Sequence, residues 1–108
     1  MELGDFAIGR AFSNSGHSLW LCADIGTRVV VAIRLDRAET VSVTVRGGKP
    51  GPETRAVVDP RVDIGWLSGP PYAVAELVFD EYDLPACTPV AEEDVAAWTP
   101  ERERDRRR

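Results

Sequence analysis

Alternation of apolar and polar side chains with a period of two is the feature that most limits what this chain can fold into. Valines alternate with Thr, Ser and Arg over residues 40–46, which is the pattern of a half-buried β-strand. Residues 28–35 are apolar on much of both faces, which is typical of a strand in the interior of a sheet. The intervening residues 36–39 predict a hairpin that joins these two strands.

Similar short stretches along the rest of the chain predict further strands, separated by turn residues. They cover residues 6–12, 19–25, 54–59 and 61–67, with a loop rich in Gly and Pro at 47–52. Turn signals recur about every eight to twelve residues, a spacing that suits small sandwiches and barrels. The sequence therefore predicts an all-β, or mainly β, fold: a small antiparallel β-sandwich or barrel of about six to seven strands with a short C-terminal helix.

Residues 72–82 fit two structures, and periodicity alone does not choose between them. As a strand, the segment turns inward the side chains of Ala73, Ala75, Leu77 and Phe79. As a helix, it gathers on one face the side chains of Tyr72, Ala75, Phe79 and Tyr82. We favour the strand, and Pro85 ends either structure.

Two signals for the start of a helix follow in the C-terminal part of the chain. Thr88-Pro89 combines an N-cap residue with Pro at the first helical position, and the acids at 92–94 would lie near the positive end of that helix. Thr99-Pro100 repeats the signal. We therefore divide the chain into a β-rich domain, residues 1–87, and a C-terminal helix with a charged, arginine-rich tail, residues 88–108.

No constellation of residues indicates catalysis. The single histidine, His17, lies in a predicted turn, and Cys22 lies five residues further along a strand, too far away for a nucleophile–base pair. Zinc ligands normally come in close pairs such as C-x₂-C, which the sequence lacks. Residues 47–49 do not match a phosphate-binding loop. The sequence therefore predicts a protein that is not an enzyme and that holds no cofactor or metal.

The cysteines and tryptophans are expected to pack in the core. Cys22 and Cys87 stand beside apolar residues and no export signal is present, so we predict buried, reduced thiols, with a long-range disulfide as the alternative. The tryptophans fall where predicted elements pack, although a Trp can also anchor an interface. They are Trp20, Trp66 and Trp98.

The arrangement of charges is the most informative chemical feature. Residues 62–101 contain no Lys or Arg but nine acids, and residues 102–108 carry five arginines and two acids, in a chain of net charge −5. Such a block repels phosphates, which argues against direct nucleic-acid binding by the acidic face. It favours a basic protein partner, or a surface that serves solubility alone. The residues expected to bind a partner are Asp80, Glu81, Asp83, Glu92, Glu93, Asp94, Arg102, Arg104, Arg106, Arg107 and Arg108.

The arginine-rich tail, residues 102–108, is polar on every side, so no apolar face orders it. Several arginines together can bind carboxylates where one exposed pair contributes little. We expect the tail to dock on acids, either on Asp80, Glu81 and Asp83 of its own chain or on the acidic face of a second copy. Docking on a second copy would give a homo-oligomer that weakens with salt.

Together these observations predict a non-catalytic protein–protein interaction or assembly module with an acidic surface, whose partner is either itself, as a homo-oligomer, or a basic protein. One alternative is an acidic inhibitor or immunity-type protein that binds a basic enzyme or nucleic-acid-binding protein, and another is a small ligand-binding β-barrel. The N-terminus lacks the pattern of a signal peptide, and the longest aliphatic run, 29–33, is too short to cross a bilayer. We therefore expect a cytoplasmic protein with no membrane partner.

Overall fold

Strands dominate the chain, as the alternating pattern predicts. The computed structural model of the 108-residue chain describes residues 1–62 and 75–106. The strands are β1 (Ala11–Asn14), β2 (Ser18–Ile25), β3 (Val30–Arg34), β4 (Ala38–Arg46), β5 (Lys49–Val58), β6 (Glu76–Phe79) and β7 (Cys87–Val90). An α-helix, α1, spans Pro100–Arg106, and short 3₁₀ turns form at Leu3–Asp5, Leu84–Ala86 and Glu92–Asp94. The predicted mainly β fold with a short C-terminal helix is confirmed.

Five of these strands form one antiparallel sheet, in the order β6-β3-β2-β1-β7. β3 pairs with β2 on one side and with β6 on the other, which confirms the prediction that this strand lies inside a sheet. β6 and β7 form the two edges. Within residues 1–62 and 75–106, no pairing closes the sheet into a barrel.

β4 and β5 form a second, two-stranded sheet. The predicted hairpin through residues 36–39 is therefore wrong, because β4 pairs with β5 whereas β3 pairs with β2 and β6. A short connection favours pairing of the strands that it joins, but β3 already has a partner on each side. The chain therefore leaves the five-stranded sheet after β3 and begins a new hairpin at Ala38.

The tip of this hairpin is the turn Gly47-Gly48. Both residues have positive φ, 60° and 77°, which a two-residue turn between twisted strands requires. The prediction of a loop over 47–52 is wrong beyond this turn, because β5 begins at Lys49 and includes Pro50 and Pro52. A proline has no N–H to donate to the ladder, but an edge strand tolerates it.

One face of the five-stranded sheet carries an aromatic core. Phe12 packs edge to face against Phe6 and Phe79, with ring centroids 5.1 Å and 5.5 Å apart, and Trp20 meets Phe79 at 4.9 Å. The N-terminal segment supplies Phe6, and the segment between β6 and β7 supplies Leu84, which is buried in the same cluster. Burial of these large side chains stabilises the sheet on this face.

The C-terminal segment covers the opposite face. Leu19, Leu35 and Val90 form a second cluster with Trp98, whose side chain is buried, as the sequence predicts. Near the end of the chain, the carboxylate of Glu103 in α1 is buried and accepts a hydrogen bond from the hydroxyl of a β1 serine, Ser13. The five-stranded sheet therefore has a hydrophobic cluster packed on each of its two faces.

Two of the predicted strands differ from the structure. The first strand begins at Ala11 and not near Phe6, because the chain before it forms the 3₁₀ turn Leu3–Asp5 and then crosses the aromatic face. In the segment predicted as a strand over 61–67, Arg61 and Val62 form a turn. Residues 63–67, with Trp66, lie outside the described part of the chain.

The ambiguous segment 72–82 contains a strand, as we favoured. β6 covers Glu76–Phe79, and residues 72–74 lie outside the described residues. Phe79 is buried as predicted, but Ala75 and Leu77 are exposed, so their predicted burial is wrong although Leu77 shares the face of Phe79. The aromatic core of this face ends at Phe79, and β6 lies at the sheet edge, so the residues before Phe79 have no core beneath them.

The helix predicted to begin at Thr88 is wrong, and the one signalled at Thr99 is confirmed. The chain at Cys87–Val90 pairs with β1 as an edge strand, a position where a proline is tolerated. The Thr99 side-chain oxygen accepts a hydrogen bond of 3.1 Å from the backbone N–H of Arg102. Pro100 begins α1, so both parts of the predicted start signal operate there.

Candidate functional site

The hairpin of β4 and β5, residues 38–58, forms a sheet separate from the five-stranded one, and we call it the hairpin arm. A strand of its length spans roughly 30 Å. The Cα radius of gyration is 16.0 Å, against about 13 Å for a compact domain of this size, and the molecule measures 54 × 33 × 23 Å. Val45 near the tip is 65% exposed, and Val57 near the base is 58% exposed. The arm therefore presents apolar side chains to solvent.

The strand pairing of the hairpin arm is limited. Within residues 1–62 and 75–106, β4 and β5 pair as strands only with each other, and the outer edge of β4 has no strand beside it. An isolated two-stranded hairpin is only marginally stable in water, and an unpaired edge is a template for a strand from another chain. Contact with a partner would therefore stabilise the arm.

Arg61 ties the base of the hairpin arm to the C-terminal segment. Its Nη1 donates hydrogen bonds to the backbone carbonyls of Val95 and Trp98, at 2.9 Å and 2.8 Å. Its Nε and Nη2 donate to the two carboxylate oxygens of Asp59, at 3.0 Å and 2.7 Å. One guanidinium therefore holds three groups together, a task that suits its planar set of donors.

The Asp59–Arg61 contact also sets the ionisation of both groups. The side-chain hydrogen bonds from Arg61 lower the pKa of the Asp59 carboxyl below its usual value, and they raise the pKa of Arg61. Sequence reasoning missed Arg61 as a connecting residue. A local signal was present, because Asp59-Pro60-Arg61 places a carboxylate and a guanidinium on either side of a turn proline.

The acidic residues predicted to bind a partner fall into two groups, at opposite edges of the five-stranded sheet. The first group follows the edge strand β6, and its side chains are exposed: Asp80, Glu81 and Asp83. Within this group, Glu81 forms an ion pair of 2.6 Å with Arg28. A basic residue distant in sequence therefore enters the acidic block, which the sequence pattern did not reveal.

The second acidic group forms the 3₁₀ turn Glu92–Asp94, immediately after the other edge strand, β7. Glu92 and Glu93 are exposed, and Asp94 is partly buried. The strand order places three strands between β6 and β7, so the two groups do not form one cluster. The acids that are consecutive in the sequence are thus distributed around the sheet.

The described arginines of the tail contact residues close to them in sequence. Arg102 donates to the carbonyl of Ala97, just before α1, at 3.0 Å, and Arg104 donates to the carbonyl of Pro100 at 3.4 Å and lies 3.8 Å from the Glu101 carboxylate. These contacts are local and exposed. Docking of the tail on acids elsewhere involves three further arginines and stays a prediction, because Arg107 and Arg108 lie outside the described residues and only the backbone of Arg106 is described.

A groove of about 410 Å³ lies between the five-stranded sheet and the C-terminal segment. Its walls are mostly apolar and include Leu21, Leu35, Val90 and Val95. Polar groups come from Arg10, Arg61 and Glu92 at its rim, although Arg61 is already engaged with Asp59 and two carbonyls. A groove of this size is in the range that small ligands occupy.

The nucleophilic and titratable residues singled out in the sequence differ in exposure, and the two cysteines belong to the same aromatic cluster. His17 is exposed in the turn between β1 and β2, as predicted. Cys22 and Cys87 are buried free thiols, and burial raises the pKa of both. A raised pKa leaves little thiolate at neutral pH, so neither sulfur is prepared for nucleophilic attack. In the described part of the chain, no group of three His, Cys, Asp or Glu residues has the arrangement of a metal site.

None of the described helices combines the length and the apolar character that crossing a bilayer requires. Comparison of the chain with protein-family models, with curated proteins and with solved structures gives no match.

Proposed function

We propose that this chain is a non-catalytic protein–protein interaction or assembly module and that the hairpin arm is its main contact surface. The observation that carries the proposal is the exposure of Val45 and Val57 in the arm, whereas the five-stranded sheet buries a hydrophobic cluster on each of its faces. An isolated two-stranded hairpin with exposed apolar side chains is only marginally stable, and contact with a partner would stabilise it. A function in binding explains why such an element is present.

Two features support the non-catalytic part of the proposal. The thiols of Cys22 and Cys87 are buried and have raised pKa values, and His17 is exposed in a turn on the first hairpin of the sheet. A nucleophile needs a base within hydrogen-bond reach and a cleft that holds the substrate. The arrangement of Cys22, Cys87 and His17 does not favour nucleophilic catalysis.

The rest of the proposal concerns the partner and its compartment. The partner is a protein, either a second copy of this chain or a basic protein, and the exposed carboxylates of Asp80 and Asp83 disfavour direct contact with phosphate backbones. We place this interaction in the cytoplasm, without a membrane partner.

The proposed architecture remains a small sandwich or barrel, in which further pairing completes the two sheets.

The test compares the intact protein with a variant that has a shortened arm. Residues 43–53 are replaced by Asn-Gly, so that the paired residues Ser42 and Thr54 flank a new two-residue turn and the base of the hairpin keeps its register. The mass of both proteins is measured by sedimentation, and each is used to capture binders from the native host. We expect the intact protein to self-associate or to retain a stoichiometric partner, and the shortened protein to do neither. A monomer that captures the same proteins with and without its arm would contradict the proposal.

An acidic inhibitor or immunity-type protein is the second candidate, and the exposed acids at the two sheet edges favour it. Charged clusters steer a basic partner and give binding that weakens with salt. The two candidates differ in the surface they use. Replacement of Glu92 and Glu93 by Gln would abolish binding to a basic enzyme but leave binding through the arm intact, whereas shortening the arm would have the opposite effect.

A small ligand-binding barrel is the third candidate, and the groove beside Leu21 and Val95 would be its site. The apolar walls and the rim guanidinium of Arg10 would suit a small amphipathic anion. Arg10→Gln would then reduce binding of such a ligand without altering the mass of the protein in solution.

A further inference from the structure

We propose that the helix α1 is a latch, which opens from the five-stranded sheet as a unit while the sheet stays folded. The inference concerns a different part of the molecule from the hairpin arm, so it does not depend on the proposed function. It rests on the way in which α1 is held, because a buried polar pair attaches this helix where an apolar face normally does so. Opening would uncover the hydroxyl of Ser13 and move the arginines of α1 away from the sheet.

The sequence of α1 offers no apolar face to the sheet. Every residue of this helix after Pro100 is charged. Among residues 101–105, Glu103 is buried and the other four are exposed. Helices packed in proteins gain most of their stability from burial of an apolar face, and a helix as short as this one is not stable by itself. The position of α1 therefore depends on the surroundings of Glu103.

The hydroxyl of Ser13 is the partner of Glu103 on the sheet. Ser13 lies in β1 between Leu19 of β2 and Thr88 of β7, and it is fully buried. Its hydroxyl donates a hydrogen bond to the carboxylate of Glu103. Burial of a carboxylate costs free energy that hydrogen bonds and opposite charges must offset. The closed position of α1 is therefore conditional on the donors that Glu103 finds there, and Ser13 is one of them.

Close packing adds little to this attachment. A groove of about 370 Å³ lies beside α1. Charged side chains supply most of its lining, which consists of Asp94, Ala97, Trp98, Arg102, Glu103 and Asp105. Contacts between closely packed apolar atoms, which hold most helices in place, are therefore few on this side of α1.

Arg61 determines where the latch turns. Its hydrogen bonds to the carbonyls of Val95 and Trp98 hold the chain as far as Trp98, whose side chain is buried in the second cluster. Thr99 caps α1 and Pro100 begins it, so both residues belong to the helix. The link between Trp98 and Thr99 is therefore the turning point, and Trp98 stays in place when α1 opens.

Native-state hydrogen exchange measures the opening directly. The amide of Glu103 donates to the carbonyl of Thr99 at 3.1 Å and reports on α1, whereas the amide of Cys22 donates to the carbonyl of Arg10 at 3.0 Å and reports on the sheet. We expect the protection factor at Glu103 to be at least about ten-fold lower than that at Cys22, because α1 opens without unfolding of the sheet. Equal protection of the two amides would overturn the proposal.

Substitutions distinguish a latch from the ordinary fraying of a short helix. Ser13→Ala removes a donor from the buried carboxylate, and we expect it to lower the protection factor at Glu103 about ten-fold or more. Glu101→Gln is the matched control on the exposed side of α1 and should change that protection factor less than about three-fold. Fraying that does not involve Ser13 would leave the two variants alike, and this result would also overturn the proposal.

A double substitution covers the case in which Ser13→Ala weakens the whole sheet. Ser13→Ala combined with Glu103→Leu replaces the buried polar pair by apolar side chains, an exchange that is often neutral or stabilising. We expect the amide at position 103 to be protected at least as well as in the natural chain, and about ten-fold better than with Ser13→Ala alone. Protection as low as with Ser13→Ala alone would contradict a latch, because the polar pair would then be the firmest attachment available to α1.

Discussion

The five-stranded sheet and the hairpin arm are both antiparallel β structure, yet they differ in what their residues bury. Phe12 in the sheet is 1% exposed and lies between two other rings, whereas Val57 in the arm is 58% exposed. Side-chain burial stabilises the sheet, whereas exposed residues such as Val57 contribute little burial to the arm. The comparison indicates a division of roles: the sheet provides stability, and the arm provides a surface.

Arg61 is the residue that connects the two regions. It follows β5 at the base of the arm, and it bonds to the segment that covers the sheet through Val95 and Trp98. These bonds therefore fix the base of the arm against the segment that covers the sheet.

The largest effect that we expect comes from the aromatic core. Phe12→Ala should lower the free energy of unfolding by about 3–5 kcal/mol, because it removes a fully buried ring and leaves a cavity among Phe6, Trp20 and Phe79. Chemical denaturation of dilute protein measures this change. Val57→Ala in the arm is the matched control and should cost less than about 1 kcal/mol. Equal losses of unfolding free energy for the two substitutions would show that the arm is packed as firmly as the sheet.

The next largest effect concerns the connection at the base of the arm. Arg61→Ala should lower the free energy of unfolding by about 2–4 kcal/mol, because it leaves two backbone carbonyls without their donor and removes the guanidinium from the Asp59 carboxylate. Denaturation curves measure the loss. Asp59→Asn is the control, since it removes the carboxylate charge but leaves the bonds from Arg61 to Val95 and Trp98. If Arg61→Ala lowered the unfolding free energy no more than Asp59→Asn does, the bonds from Arg61 to the carbonyls of Val95 and Trp98 would contribute nothing to stability.

A smaller effect depends on pH. The pKa of Asp59 is lowered in the folded protein, so its ionised form stabilises the fold at pH values above the ordinary carboxyl pKa of about 4. That contribution should be lost as the pH falls through the lowered value. The difference in unfolding free energy between the natural chain and Asp59→Asn should therefore shrink between about pH 6 and pH 2, from at most about 1 kcal/mol for a partly exposed pair. A difference that stays constant with pH would contradict this assignment.

Local patterns predicted the existence of most strands but not their partners. Alternation identified the strands around Ile33 and Val43, because side-chain periodicity is encoded within each segment. The pairing of β3 with β6 joins residues more than forty positions apart, and nothing in either segment specifies that choice. The predicted hairpin across 36–39 failed for this reason, since it relied on closeness in sequence alone.

Prolines caused the remaining errors in the strands. Thr88-Pro89 has the composition of a helix start, and Pro50 and Pro52 lie among glycines, so both segments were predicted not to be strands. Both turn out to be edge strands, where a missing N–H carries no penalty. Edge position depends on the order of strands in the sheet, which the local sequence does not contain.

The candidate surfaces were predicted in part. The sequence correctly showed where the acids are, but their division between the β6 and β7 edges follows from the strand order. The contact of Arg28 with Glu81 likewise joins residues that are distant in sequence. The hairpin arm was not predicted as a surface, because residues 40–46 have the alternation of a half-buried strand whether or not a core lies beneath it.

The smallest expected effect is the sharpest test of the contrast between sheet and arm. Val57→Thr keeps the shape and the β-branching of the side chain, so strand propensity and backbone pairing should be unchanged. At 58% exposure, Val57 has little apolar burial to lose, and we expect the free energy of unfolding to change by less than about 0.5 kcal/mol. The measurement is made by denaturation at micromolar concentration, where an association through the arm contributes least. The same substitution at Val30, which is fully buried in β3, places a hydroxyl in the core and should cost about 1–3 kcal/mol. A loss above about 1.5 kcal/mol for Val57→Thr would mean that the arm is part of the stable core, and the assignment of separate roles to the two regions would be wrong.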